Sequence, residues 1–253
     1  MPHPAIHVPK LIAHRGYSAA APENTLAAVR AAHQAGATWV ELDVQLLGDG
    51  TPVIWHDGDV ARCSNGRGNL ASMSWEKAQT LDVGSWFGDH FTGEKMPRLE
   101  EMLALLNELK MGVNMEIKVN KSRDPIALVD RALPIMLDIL PAERLIISSF
   151  NTDALSQCRQ YAGPEQLALG LLFGRVPKQW QAQCEAIEAF SVHPDWTRLK
   201  RIQADAMQRA GYQLLCYTAN DPSAFHHRWD WGIASVITDE PAAFQRFLAS
   251  HSH

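Results

Sequence analysis

No apolar run in this chain approaches the roughly 18 uninterrupted residues that a bilayer-crossing helix needs. The opening Met1-Pro2-His3-Pro4-Ala5-Ile6-His7 has neither the cationic segment nor the apolar stretch of a secretory signal. A soluble, cytoplasmic location is therefore expected. Cysteine is scarce: Cys63, Cys158, Cys184 and Cys216 are the complete set, far apart, with no C-x-x-C and no zinc-ligand spacing. They are expected to be free, buried thiols, and a structural zinc is not expected. Positive charge is not in excess either. With 23 Lys+Arg against 28 Asp+Glu, the net charge of −5 excludes both a polybasic nucleic-acid binder and an acidic disordered tail. Internal repeats, low-complexity tracts and a G-x-G-x-x-G after a strand are all absent.

What is present is a chain of 253 residues, 46% apolar, enough for one sizeable core. Short β-rich apolar runs predict strands over 11–13, 39–45, 113–118, 145–148, 168–173, 187–192, 213–217 and 235–238. Between them lie helix-like stretches such as Leu103, Leu106 and Leu109, or Leu128, Leu133 and Leu137. Asp124-Pro125 and Asp221-Pro222 place an N-cap before a proline at the first helical position, and Glu240-Pro241 marks a third start. This alternation predicts a single α/β domain, 1–253, folded as a (β/α)8 TIM barrel. A doubly wound open sheet is the alternative, but dinucleotide binding, its usual purpose, has no signature here. The polar, turn-rich stretch 58–98 is too long for an ordinary connection, so it predicts an insertion subdomain above the barrel mouth, after the second barrel strand and its hairpin.

Barrel enzymes gather their reactive groups at the C-terminal ends of the strands. Polar residues fall there repeatedly: His14 and Arg15, Glu41 and Asp43, Glu116 and Lys118, with Ser149, His193, Asn220 and Asp239 closing later strands. Glu41 and Asp43 are two apart and share one face of a strand, as do Glu116 and Lys118. Three carboxylates at one mouth repel unless a cation sits among them, and oxygen-only ligands favour a hard ion such as Mg²⁺ or Ca²⁺. Ordinary barrel-end salt bridges explain the same spacing equally well. Asp49-Gly50 reads as a two-residue hairpin turn, which would set His56 directly opposite Asp43 and on the same face. Of eleven histidines, only His14 and His56 sit beside charged partners at strand ends. One could then accept a proton while the other donates one. Arg15 and Lys118 beside them point to an anionic substrate, and a phosphate ester fits.

His14-Arg15-Gly16, Pro22-Glu23-Asn24-Thr25, Glu41-Leu42-Asp43, His56-Asp57 and Glu116-Ile117-Lys118 together resemble the glycerophosphodiester phosphodiesterase family, above all its bacterial cytosolic members. The likeness continues through Leu81-Asp82-Val83-Gly84-Ser85-Trp86-Phe87, Met96-Pro97-Arg98-Leu99-Glu100-Glu101 and Ile237-Thr238-Asp239-Glu240-Pro241. The resemblance implies a distorted TIM barrel with an insertion, and metal-dependent hydrolysis of glycerophosphodiesters to sn-glycerol 3-phosphate and an alcohol. It implies Glu41, Asp43 and Glu116 as ligands of one divalent cation, Mg²⁺ first, Ca²⁺ or Mn²⁺ next. His14 and His56 would be the acid–base pair, and Arg15 and Lys118 would hold the phosphate. Where the family often carries Trp ahead of Thr and Asn, this chain reads Tyr217-Thr218-Ala219-Asn220, leaving Tyr217 as the aromatic wall of the substrate site.

Small-molecule glycerophosphodiesters are thus the expected partners, without nucleic acid and without stable membrane association. A barrel phospholipase or lyase acting on intact lipids is the rival within enzymes. Trp75, Trp86, Phe87 and Phe91 could form its apolar rim, but Asp82, Asp89 and Glu94 lie among them and repel anionic lipid surfaces. An amidohydrolase-type barrel would end its first strand in His-x-His, which this chain does not. A phosphate-binding barrel that had lost catalysis should lack a histidine or a carboxylate of the set, and none is missing.

Overall fold

In the computed structural model, which describes residues 2–251, nine strands form one sheet. They are β1 (Leu11–His14), β2 (Trp39–Leu46), β3 (Pro52–Ile54), β4 (Gly112–Ile117), β5 (Leu145–Ser149), β6 (Ala168–Phe173), β7 (Ser191–Pro194), β8 (Gln213–Cys216) and β9 (Ser235–Thr238). All but β3 are parallel to their neighbours, and β1 pairs with both β2 and β9, so the sheet closes into an eight-stranded barrel. The helices are α1 (Leu26–Gln34), α2 (Trp75–Ala78), α3 (Leu99–Glu108), α4 (Pro125–Ile139), α5 (Thr152–Tyr161), α6 (Trp180–Ala186), α7 (Arg201–Arg209), α8 (Pro222–Phe225) and α9 (Pro241–Ser250). The fold is a TIM barrel, as the strand–helix alternation predicted. Asp124 and Asp221 cap α4 and α8 ahead of a first-turn proline, each accepting two backbone N–H bonds.

The period-2 alternation of each strand sorts its side chains into two layers. Outward residues such as Val40, Leu42, Val113, Met115 and Ile147 join α3 and α4 residues Leu103, Leu106, Val129 and Leu133 in the large core between barrel and helices. Each such side chain, fully buried, contributes about 1.5–3 kcal/mol. Inward residues Ile12, Trp39, Ile146, Ala168, Leu215 and Ile237 plug the barrel itself. The same alternation carries on up β2 and β4, so Glu41, Asp43 and Glu116 point inward at the C-terminal end, above the plug. Residues 58–98 contribute most of a third cluster, with Val60, Leu70, Met73, Leu81, Val83 and Met96 packed on Val53 and Trp55.

Two local readings are corrected. The β2–β3 pairing is Val44 with Ile54, Gln45 with Val53 and Leu46 with Pro52, one residue away from the register that a two-residue turn would give. The loop is Gly48-Asp49-Gly50, closed by Leu47 N–H to Thr51 O at 2.9 Å, with Gly50 at φ 84°. A left-handed third residue is the usual solution for a three-residue hairpin loop. Asp43 therefore faces Trp55, whose N–H bonds its carbonyl at 2.9 Å. The sixth barrel strand, β7, starts at Ser191 rather than 187, because Ile187 and Glu188 (φ 50°) close off α6, with Ala189 N–H bonding Cys184 O at 2.9 Å.

Candidate active site

The turn after β1 aims the first two polar residues. Arg15 and Gly16 lie in the left-handed region at φ 55° and 80°. A side chain at Gly16 would meet the Ala28 backbone at 2.7 Å, so only glycine lets α1 approach this turn. The Arg15 N–H donates to Glu41 Oε2 at 3.2 Å. The tetrapeptide Pro22-Glu23-Asn24-Thr25 then resolves residue by residue. Glu23 takes the Arg15 guanidinium at 2.7 Å. Asn24, at φ 58°, donates to Asp43 Oδ2 at 2.9 Å and accepts from the Asp43 N–H at 3.2 Å. Thr25 caps α1, its hydroxyl accepting from the Ala28 N–H at 3.1 Å. A non-glycine residue held at positive φ costs about 1–3 kcal/mol, tolerated here at two positions that fix the site.

Glu41, Asp43 and Glu116 are 4%, 1% and 8% exposed, and one oxygen of each lies within 4.8 Å of the others. Burial foremost, then the charge of Asp43, drives Glu41 and Glu116 well above the usual carboxylate range. Burial acts on Asp43 too, but Arg15, His56 and Lys118 outweigh it and hold that group low. Asp43 Oδ1 is buried with no hydrogen-bond partner. Three buried carboxylates with an orphaned oxygen among them match what a hard divalent cation requires, so the residues present fit such an ion. Simple ion pairing does not exhaust the cluster: Lys118 Nζ meets Glu116 Oε1 at 3.1 Å, and Arg15 Nε stands 3.6 Å from Asp43 Oδ2 without a hydrogen bond.

Each of the two histidines is paired through Nδ1. His14 donates to Asp239 Oδ1 at 2.6 Å, leaving Nε2 3.7 Å from Glu41 Oε2. His56 donates to Asp57 Oδ1 at 2.8 Å. A carboxylate can only accept, so it fixes the Nδ1–H form and leaves Nε2 for proton transfer. Burial, with Arg15 and Lys118 reinforcing it, pushes His56 below the ordinary imidazole value against the pull of Asp43 and Asp57. Asp239 is held far below the carboxylate range. Burial would raise it, but hydrogen bonds from His14, Ser18 and Asn220 prevail. Asp57 falls to about 2, chiefly through Arg62, which also grips Glu23 at 2.6 Å and 3.0 Å. A continuous chain His56–Asp57–Arg62–Glu23–Arg15 thus links the segment after β3 to the turn after β1.

A cavity of about 230 Å³ is lined by His14, Arg15, Glu41, His56, Glu116, Lys118 and Tyr217, so the candidate residues converge on one space, with Asp43 buried just behind. The Tyr217 hydroxyl is engaged by Phe173 O at 3.0 Å, leaving its ring to face the cavity edge-on to Phe150. His56 gets there because the chain leaves β3 after Ile54. Its loop is held by bonds from Asn120 to His56 O and from Gln45 to Asp57 O. Two other strand-end residues, Ser149 and His193, do not join. Ser149 bonds Ile117 O, and His193 is fully buried inside the barrel against Ser191. Asp57, Arg62, Asp239, Phe150, Asn114 and Ser148 extend the site beyond the candidates. Only Asp57 and Asp239 carried a signal, as a neighbour of His56 and as a strand-end carboxylate.

Residues 14–243 match the model of the Glycerophosphoryl diester phosphodiesterase family. The chain is 34% identical over 233 residues to the glycerophosphodiester phosphodiesterase of Caldanaerobacter subterraneus subsp. tengcongensis, covering 91% of this chain and 94% of that one. An Oleispira antarctica phosphodiesterase, solved in complex with the product sn-glycerol-3-phosphate, superposes with a TM-score of 0.90 at 33% identity, over 96% of this chain and 97% of the other. The glycerophosphodiester phosphodiesterase of Thermotoga maritima superposes at 0.76 with 27% identity, over 95% and 99%.

Proposed function

Because this chain belongs to the glycerophosphoryl diester phosphodiesterase family and is a phosphoric diester hydrolase, we propose that it hydrolyses glycerophosphodiesters to sn-glycerol 3-phosphate and an alcohol by a cation-assisted, two-histidine mechanism. The observation that carries the reading is the pair of aspartate-held imidazoles at one cavity with three buried carboxylates. Arg15 and Lys118 take the charge of the phosphodiester and orient it. One of His14 and His56 removes a proton through Nε2 from the nucleophile, which is either water or the glycerol hydroxyl beside the phosphoester, whose cyclic phosphate water then opens. The other protonates the departing alkoxide as its bond to phosphorus breaks. Asp239 and Asp57 stabilise each ring when it is positive. Each such acid or base is worth roughly 10²–10⁴ in rate. A divalent cation held by Glu41, Asp43 and Glu116, with Mg²⁺ the first choice, would supply positive charge against the charge growing on the phosphoryl group. In this reading the whole chain is one catalytic domain, with 58–98 as its inserted subdomain.

A soluble substrate is favoured over an intact lipid. The cavity of about 230 Å³ suits a headgroup, not acyl chains. Among the described residues no helix is long and apolar enough to cross a membrane. Trp75 is occupied by the insertion cluster and by Arg98, and Phe87 packs edge-on against both Trp86 and Phe91, leaving Trp86 as the exposed ring. The test is release of glycerol 3-phosphate from glycerophosphocholine, glycerophosphoethanolamine and glycerophosphoglycerol after EDTA treatment and add-back of Mg²⁺, Mn²⁺ or Ca²⁺. Activity should vanish with chelator and return with one ion. Full activity in EDTA would remove the cation from the mechanism, and no turnover of any diester with any ion would sink the substrate class.

A further inference from the structure

The carboxylate and imidazole groups make up only part of the cavity's lining. Its lining also includes Asn114 and Ser148, which the mechanism does not use. Asn114 precedes Glu116 by two residues on β4, so it shares the inward face and sits one step deeper in the barrel. Ser148 pairs in register with Glu116 from β5. The two are 1% and 0% exposed, yet Asn114 Oδ1 and Ser148 Oγ have no hydrogen-bond partner. Such groups are normally paired when buried, and the exceptions require an explanation. Ser235 Oγ shares the condition but does not line the cavity.

The chemistry of the missing partner can be read from the neighbours. The Asn114 amide nitrogen faces His193 Nδ1 at 3.5 Å, and His193 Nε2 lies 2.8 Å from Ser191 Oγ. Burial holds His193 far down at about 3, so the ring is neutral and offers Nδ1 as an acceptor when Nε2–H donates to Ser191. Gly170 makes room for that ring, because a Cβ there would come within 2.4 Å of His193 Nε2. The amide is thus turned with its oxygen toward the cavity. A carbonyl oxygen repels a phosphate oxygen and accepts from a hydroxyl. The serine can do either, and Leu172, Tyr217 and Ile237 give carbon-lined walls beside them.

We propose that Asn114 and Ser148 form the floor that recognises the terminal hydroxyl of the glycerol moiety, the one farthest from the phosphate, and so select glycerol over other alcohols on that side of the ester. This rests on the glycerophosphodiester reading above. With phosphate held by Arg15 and Lys118 at the mouth, the far hydroxyl is the group that enters deepest. A site with buried polar groups rejects an analogue that leaves them unpaired.

The experiment compares kcat/KM for glycerophosphocholine with that for its analogue lacking only the terminal hydroxyl, the propane-1,2-diol phosphodiester of choline. That analogue keeps the hydroxyl next to the phosphoester, so a reaction using it as internal nucleophile survives. Wild-type enzyme should prefer the glycerol diester by on the order of 10²-fold. In Ser148→Ala and Asn114→Leu the preference should collapse to a few-fold. The ratio cancels any loss of folded protein, and Ser148→Ala removes a single oxygen. A wild-type preference below about threefold would overturn the floor while leaving the diesterase intact. A large preference that both variants retain would overturn the assignment to these residues. No hydrolysis of either diester, while bis(p-nitrophenyl) phosphate is still cleaved, would take down the glycerophosphodiester reading and this one with it.

Discussion

The two halves of the candidate active site contain the same chemical unit built in different ways. On the barrel side, His14 ends β1 and Asp239 directly follows the adjacent strand β9, 225 residues away, and Asp239 is also bonded by Ser18 and Asn220. On the insertion side, His56 and Asp57 are neighbours in sequence on a loop beyond β3. Their carboxylate is braced by Arg62, which is 47% exposed. The barrel side is as rigid as the sheet that carries it. The insertion side is as rigid as its tethers through Gln45, Asn120 and Arg62. In the proposed mechanism proton transfer uses both imidazoles, so a barrel strand sets the position of one, and the loop after β3, tied to Gln45, Asn120 and Arg62, sets the position of the other.

The strongest way to break this comparison is to remove each ring. His14→Ala and His56→Ala should each lower kcat by roughly 10²–10⁴, and the double variant should lose little more, since groups acting as a unit are not additive. Replacing the alcohol by p-nitrophenol, which needs no proton to leave, should restore most of the loss in one variant only. That variant identifies the acid. Rescue of both or of neither would show that the halves do not divide the work. The orienting carboxylates come next. Asp239→Asn should cost about 10²-fold and Asp57→Asn about tenfold, because backbone bonds still hold the His56 loop. Arg62→Ala should cost only a few-fold, in line with about 1 kcal/mol for an exposed pair. Steady-state kinetics would check the order, and equal losses for the two aspartates would erase the asymmetry.

This division also explains what could be read from residues alone. The barrel side was legible because alternation along a parallel strand fixes which side chains point inward, so Glu41, Asp43 and Glu116 could be placed together from spacing. Glu23, Asn24 and Thr25 were legible only as a pattern. Their separate tasks depend on left-handed turns at Arg15 and Asn24 that no periodicity announces. The insertion side was less legible. The route of His56 into the cavity was assigned to a hairpin register, and Gly50 in a three-residue loop shifts that register by one. Arg62 reaches Glu23 across 39 residues of chain, a contact that only the folded insertion creates. Asn114 and Ser148 were invisible because a buried polar residue on a strand reads as packing until its unpaired atom is seen.

Acid should separate His193 from the Asp57 brace by the pH window in which each loses stability. Inside the barrel, burial holds His193 at about 3, against roughly 6.5 for an unfolded histidine. Between those values the unfolded chain binds a proton that the folded chain refuses, so stability falls as pH drops below about 6.5 and levels off only near 3. The Asp57–Arg62 brace weakens in the same direction but in a lower pH window. Its carboxylate is held at about 2, so its contribution is present above the unfolded value of roughly 3.9 and is lost only below it. From pH 7 to about 4.5 His193 by itself should cost about 2–3 kcal/mol, or roughly 5–10 °C in Tm, read as the difference between wild type and His193→Asn so that the contributions of His56, Glu41 and Glu116 cancel. Thermal melts of wild type, His193→Asn and Asp57→Asn across that range would measure it. His193→Asn, less stable at neutral pH, should show a shallower acid slope than wild type, while Asp57→Asn should keep the wild-type slope. An unchanged slope in His193→Asn would mean that the ring finds a proton acceptor in the folded barrel, and the neutral Nδ1 assigned to the Asn114 contact would go with it.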